Sequence, residues 1–149
     1  MQRLAALVVL VPMLSAVPSV AARQEQRTPV GFWTTIDDED HRPTSVVEIQ
    51  QVGDELVGTV RAILVPATHA DSICGKCSGA RHDEPIVGMQ ILGHLHRDGD
   101  EWTGGEILDP ETGKTYRARL KLADGGKKLI VRGYLGISLF GRSQTWLRR

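Results

Sequence analysis

The sequence predicts an all-β domain that closes into an antiparallel up-and-down barrel of about eight strands. From Gly31 onward, apolar residues recur with a period close to two, in short runs rich in Val, Ile, Leu and aromatic residues. This period is typical of β-strands. Short links rich in Gly, Asp and Pro separate the runs, and such links join antiparallel neighbours. No stretch sustains a helical period, and a β-sandwich is the alternative architecture.

Residues 1–22 precede this domain and have the parts of a signal peptide. Arg3 comes before a nearly all-apolar stretch of 14 residues, 4–17, and the small residues Ser19, Ala21 and Ala22 follow it. The stretch is too short to cross a bilayer of about 30 Å as a helix. We therefore expect an exported protein, periplasmic or secreted, in which residues 23–30 form a flexible leader.

The mature chain is expected to be one domain over residues 31–149. Removal of Arg3 lowers the 18 Lys and Arg of the full chain to 17, against 18 Asp and Glu. This balance argues against nucleic acid as a partner, because binding it requires a basic surface that releases counterions from phosphates. No later run of about 18 apolar residues predicts a membrane span, and no cofactor is expected.

Alternation along the chain places the strands and their faces. The strands are predicted near residues 31–36, 45–51, 55–65, 86–96, 101–108, 114–122, 127–134 and 137–147. In the sixth strand, basic residues alternate with apolar ones between Tyr116 and Leu122, so one face is wet and the other is buried. Closure into a barrel buries that apolar face and removes the sheet edges. Only residues 66–85 form a long connection.

The first strand carries Gly31-Phe32-Trp33, which is similar to the Gly-x-Trp at the start of lipocalin-like barrels. The resemblance implies that Trp33 closes one end beneath an arginine of the last strand, either Arg142 or Arg148, with the cation over the indole face. An eight-stranded barrel holds either a filled core or a small-ligand cavity. The residues predicted to fill that core or to line that cavity are Trp33, Trp102, Tyr116, Trp146 and Arg142.

Five groups of residues occur together in a specific order along the mature chain. They are residues 31–35, 74–77, 85–88, 104–116, and 131–136 running into 140–146. As an ordered set they resemble the DUF2147 family of exported bacterial proteins of unknown function. The resemblance implies an exported, mostly β domain and brings with it no activity, ligand or catalytic residue.

Cys74 and Cys77 are the two cysteines of the chain, and both lie in the long polar connection. In an exported protein we expect them to form a disulfide, whose small ring contributes less than the roughly 3 kcal/mol of a 15-residue loop. Two other hypotheses stay open. Cys-x-x-Cys with Lys76 resembles a redox-active dithiol, and His69 and His82 flank the thiols as ligands of a zinc site would.

Three other groups of residues receive structural interpretations. The acidic residues 37–40 carry oxygen ligands suited to Ca²⁺ but lack the calcium-loop pattern, so we interpret them as a solvated turn. His94 and His96 share one face of a strand and are interpreted as facing solvent. Gly104-Gly105 predicts a bulge or a barrel corner.

The sequence thus favours an exported, non-enzymatic barrel that binds a small hydrophobic or amphipathic ligand inside, or an envelope partner through its rim and the cysteine loop. The alternatives are a thiol-disulfide redox factor using Cys74 and Cys77, and a structural envelope protein with a filled core. No catalytic residue and no metal ligand are assigned.

Overall fold

A computed structural model describes residues 27–65, 72–137, 139 and 141–149. The predicted signal peptide, the first part of the leader and His69 lie outside the described residues. Eight antiparallel strands form a closed barrel in which each strand pairs with the next and the eighth pairs with the first, as the sequence predicts. The strands are β1 Gly31–Ile36, β2 Pro43–Val52, β3 Glu55–Ile63, β4 Gln90–Asp98, β5 Glu101–Asp109, β6 Lys114–Ala123, β7 Lys128–Tyr134 and β8 Gly141–Arg148.

Two strands begin later than the sequence predicts. β4 begins at Gln90 because residues 86–89 make a turn, in which the N–H of Met89 donates to Ile86 O over 3.1 Å and Gly88 has a φ of 94°. β8 begins at Gly141, and the apolar residues before it belong to the connection from β7. Ile137 and Leu139 alternate as strand residues do, but they are 59% and 80% exposed. In the part of the chain described, no helix is long and apolar enough to cross a membrane.

The up-and-down order gives the barrel two different ends. The closed end collects the start of β1, the end of β8 and the β2–β3, β4–β5 and β6–β7 turns. The open end collects the β1–β2, β3–β4, β5–β6 and β7–β8 connections. The last residues of the predicted leader pack across the closed end, since Pro29 is fully buried and its carbonyl accepts the indole N–H of Trp33 over 2.7 Å. This part of the leader is therefore packed rather than flexible.

Apolar side chains fill the barrel interior toward the closed end. The largest fully buried side chains are Trp33, Trp146, Ile49, Leu92, Leu95, Leu120, Leu129 and Val47. Each contributes roughly 1.5–3 kcal/mol by leaving water. Gly105 follows a register shift in β5 and faces this core, where a Cβ would overlap the carbonyl oxygen of Gly93. The predicted bulge thus lies in the pairing of β5 with β6, and the absence of a Cβ at Gly105 lets β4 approach β5 closely.

Candidate functional site

Trp33 and Arg148 hold the closed end together. The guanidinium carbon of Arg148 lies 4.3 Å from the centroid of the Trp33 ring. The same guanidinium donates to the carbonyl oxygens of Thr28, Val30 and Gly126 over 2.7, 3.0 and 2.7 Å. One cation thus joins the N-terminal segment, β8 and the β6–β7 turn. Of the two arginines that the sequence offered for this position, the structure selects Arg148.

Arg142 lies instead at the open end, exposed to solvent, which corrects its predicted place in the core or cavity lining. It is near the start of β8, where its guanidinium stays in contact with water. Moving this charge into the apolar core would carry a large desolvation cost. Its Nε donates to the Asp38 carboxylate over 2.6 Å. This hydrogen bond raises the pKa of Arg142 above its usual value and joins the β1–β2 and β7–β8 connections.

Polar side chains replace the apolar core on the inner wall near the open end. Each lies on the open-end side of a buried residue, two positions away on the same strand, and therefore faces the interior. These inner-wall residues are Thr35 in β1, Ser45 in β2, Tyr116 in β6 and Gln144 in β8. Thr35 Oγ1 lies 2.7 Å from Ser45 Oγ, and Gln144 Oε1 accepts the indole N–H of Trp146 over 3.4 Å. All except Thr35 are partly exposed.

Exposed apolar side chains surround the same end. Leu135, Ile137 and Leu139 between β7 and β8 are 62%, 59% and 80% exposed; we call them the β7–β8 lip. Leu64, Ile73 and Val87 between β3 and β4 are also exposed; we call them the β3–β4 lip. The two connections lie on opposite sides of the mouth, because the order of the eight strands places them four strands apart. Contiguous apolar patches on a protein surface, where they are large, mark interaction sites.

The acidic residues 37–40 form a turn that satisfies its own polar groups. Asp37 Oδ1 accepts the backbone N–H groups of Glu39 and Asp40 over 2.7 and 3.0 Å. Arg42 donates to Asp40 and lowers the pKa of that carboxyl below its usual value. These contacts match the predicted solvated turn. Within the ranges that the structure describes, no group of three or more metal-ligating side chains is arranged to hold an ion.

The cysteine loop, residues 72–89, is pinned against the β5–β6 turn. Cys74 and Cys77 form the predicted disulfide, and both are buried. The sulfur of Cys74 lies 3.4 Å from the carbonyl oxygen of Pro110. At Gly113, in the same turn, a Cβ would overlap the backbone carbonyl of Lys76. Burial of both sulfurs argues against the redox hypothesis, since reactive thiols need an accessible environment.

Replacing both cysteines by serine is expected to lower the free energy of unfolding by about 2 kcal/mol, the chain-entropy value for so small a ring. Urea unfolding of the Cys74→Ser/Cys77→Ser variant measures the loss. Wild-type protein unfolded in the presence of a reductant is the control, and it should lose a similar amount. Equal stability of the oxidised wild type and the variant would contradict a stabilising bridge.

The two predicted histidines meet an acidic partner on the outer wall. His94 Nδ1 lies 3.1 Å from Glu55 Oε2, and His96 Nε2 lies 3.6 Å from Glu55 Oε1. Both rings are largely exposed, as expected from the sequence. Sequence reasoning missed Glu55, because its proximity depends on the register that pairs it with His96 across β3 and β4.

Clefts lie at two places on the described part of the barrel. One, of about 660 Å³, lies at the closed end beside Trp102 and Leu122; we call it the closed-end cleft. The other, of about 440 Å³, lies between His94 and Tyr134 and reaches Tyr116. Of the predicted core or lining residues, Trp33, Trp102 and Trp146 are buried in the core, and Trp102 also lines the closed-end cleft. Tyr116 is partly exposed and lines the second cleft.

Known proteins resemble the chain in sequence pattern and in fold. The family model described as "Uncharacterized protein conserved in bacteria (DUF2147)" matches residues 31–148. The structure is similar to that of protein HP1028 from the human pathogen Helicobacter pylori, described as belonging to the lipocalin family. The TM-score is 0.70 at 18% identity, over 80% of this chain and 82% of that chain. The sequence matches none of the curated proteins. At this identity the likeness establishes the lipocalin-like barrel fold.

Proposed function

We propose that this chain, which belongs to the DUF2147 family of uncharacterised bacterial proteins, is an exported, non-enzymatic barrel that binds a small amphipathic molecule at its open end. The observation that carries the proposal is the difference between the two ends. The Trp33 and Arg148 contacts seal one end, whereas the other has a polar inner wall and two exposed apolar lips. Export rests on the signal-peptide pattern of residues 1–22.

The proposed ligand binds in the mouth rather than deep in the barrel, because apolar side chains already fill the interior below it. Its polar group would exchange hydrogen bonds with Thr35, Ser45, Tyr116 and Gln144, and its apolar part would cover the lips. Such a molecule is amphipathic. This arrangement follows the usual composition of ligand sites, in which a few polar groups fix the orientation and apolar contacts supply most of the affinity.

A binding role rather than a catalytic one is supported by the chemistry of the inner wall. The four inner-wall side chains present hydroxyl and amide groups, which donate and accept hydrogen bonds with a ligand. Arg142 and Asp38, at the open end, are engaged in a hydrogen bond with each other. The thiols that a redox role requires are buried in a disulfide.

Binding of dansylaminoundecanoic acid, a fluorescent amphiphile, tests the proposal. We expect saturable binding to the wild type and a roughly tenfold higher Kd for the Ile137→Ser/Leu139→Ser variant, which corresponds to about 1.4 kcal/mol of lost apolar contact. The control is Val52→Ser, since Val52 is as exposed as Ile137, at 59%, but ends β2 at the closed end. This control should bind like the wild type.

The same lips favour a second candidate, the docking of an envelope partner, because large exposed apolar surfaces also mark protein interfaces. Native mass spectrometry of protein extracted gently from its own compartment separates the two. A small molecule that co-purifies at one equivalent supports ligand binding, and a co-purifying protein supports docking. Unchanged probe affinity in the lip variant would contradict the proposed site at the open end.

A further inference from the structure

We infer that the closed-end cleft is a separate binding site for a small organic anion with a flat apolar body, such as an aromatic carboxylate or sulfonate. The cleft lies between the β4–β5 and β6–β7 turns. Its volume of about 660 Å³ is within the range of roughly 300–1,000 Å³ that small-molecule sites occupy. The cleft lies at the opposite end of the barrel from the two lips. The proposal for this site therefore does not depend on the proposal for the open end.

Part of the cleft lining is apolar, and a cation lies beside this part. Trp102 and Leu122 line it, and the guanidinium carbon of Arg97 lies 5.7 Å from the centroid of the Trp102 ring. Arg97 Nε also donates to the carbonyl oxygen of Gly99 over 3.2 Å. These two contacts hold the guanidinium in place at the edge of the cleft before any ligand arrives, which lowers the entropy lost on binding.

The balance of charge around the cleft favours an anion. Asp100 and Asp124 contribute carboxylates to the lining, but Lys121 Nζ lies 2.9 Å from Asp100 and Lys128 Nζ lies 3.3 Å from Asp124. Lys121 holds the pKa of Asp100 below its usual value, so that carboxylate stays ionised and paired.

Two arginines then add positive charge beyond these two pairs. Arg97 and Arg27 both line the cleft. A planar guanidinium matches the two oxygens of a carboxylate or sulfonate, and this pairing is stronger than a hydrogen bond between neutral groups. With the anionic group on Arg97, a ring attached to it would lie against Leu122 and the small part of Trp102 that stays exposed. The arginines thus favour an anionic group in the ligand, and the apolar lining residues favour an apolar body attached to it.

Isothermal titration with 2-naphthalenesulfonate, compared with 2-naphthylmethylammonium, tests this site. The two probes share a ring system and differ in the sign of their charge. We expect the sulfonate to bind the wild type at least tenfold more tightly than the ammonium, and Arg97→Gln to weaken sulfonate binding about tenfold. Arg117→Gln is the matched control, since it removes an exposed arginine of β6 that does not line this cleft, and it should leave the affinity unchanged.

Further measurements keep the inference falsifiable. Urea unfolding checks that Arg97→Gln is folded, and Arg27→Gln provides a second variant, also expected to weaken sulfonate binding. The Ile137→Ser/Leu139→Ser variant should bind the sulfonate like the wild type, even if the open-end proposal fails. Equal affinity for the two probes, full affinity in both arginine variants, or loss of sulfonate binding in the lip variant would each overturn the closed-end site.

Discussion

Replacement of Trp33 by alanine is expected to lower the free energy of unfolding by about 3–5 kcal/mol, as for other large aromatic residues removed from a core. Its side chain is 0% exposed. The substitution removes the indole N–H that Pro29 accepts and the ring beneath the Arg148 guanidinium. It also leaves a cavity that the β-barrel, with every strand hydrogen-bonded to two others, has little freedom to collapse.

Phe32→Ala is the matched control for this prediction. Phe32 is the preceding residue and also aromatic, but its side chain is 46% exposed and points to the other face of β1. We expect its removal to change stability by about 0.5 kcal/mol or less. Urea unfolding followed by far-ultraviolet circular dichroism compares the two variants. A similar loss in both would mean that Trp33 does not hold the closed end together.

The barrel itself could be predicted because its causes are local. Alternation within each strand and turn residues between strands are visible in the sequence, and closure follows from one apolar face. The choice between Arg142 and Arg148 could not be made this way. It depends on the register that places Arg148 opposite Trp33 when β8 meets β1, and the sequence contains no signal for the pairing of the first and last strands.

The open-end lips illustrate a different difficulty. Ile137 and Leu139 alternate as strand residues do, so the pattern predicts that the eighth strand begins at Ile137, where the chain makes an exposed connection. Whether these residues form a strand or an exposed connection depends on whether other residues bury their side chains. The sequence pattern does not show which residues lie near them in the fold. The closed-end cleft was likewise not visible, because it joins Arg97 to residues of the β6–β7 turn that are distant in sequence. The predicted up-and-down order places the β4–β5 and β6–β7 turns side by side at that end, but it does not specify which of their side chains approach one another.

Gly113→Ala is expected to lower the free energy of unfolding by about 3 kcal/mol. About 1 kcal/mol arises from the φ of 70°, which an alanine adopts at a cost. The larger part arises from the new Cβ, which would overlap the carbonyl of Lys76 and push the cysteine loop away from the β5–β6 turn. Urea unfolding measures the total loss, and limited proteolysis should cut the cysteine loop of this variant faster than that of the wild type.

Gly99→Ala separates the two contributions. Gly99 also lies in a hairpin turn and has a φ of 64°, but a Cβ there meets nothing within 4 Å in the described part of the chain. Both alanines therefore strain the backbone alike, and only the one at position 113 strains the packing. We expect the Gly99 variant to lose about 1 kcal/mol and to keep its cysteine loop resistant to protease. If the two variants lose equal stability, the cysteine loop does not rest on the β5–β6 turn, and the disulfide would then order only the loop that contains it.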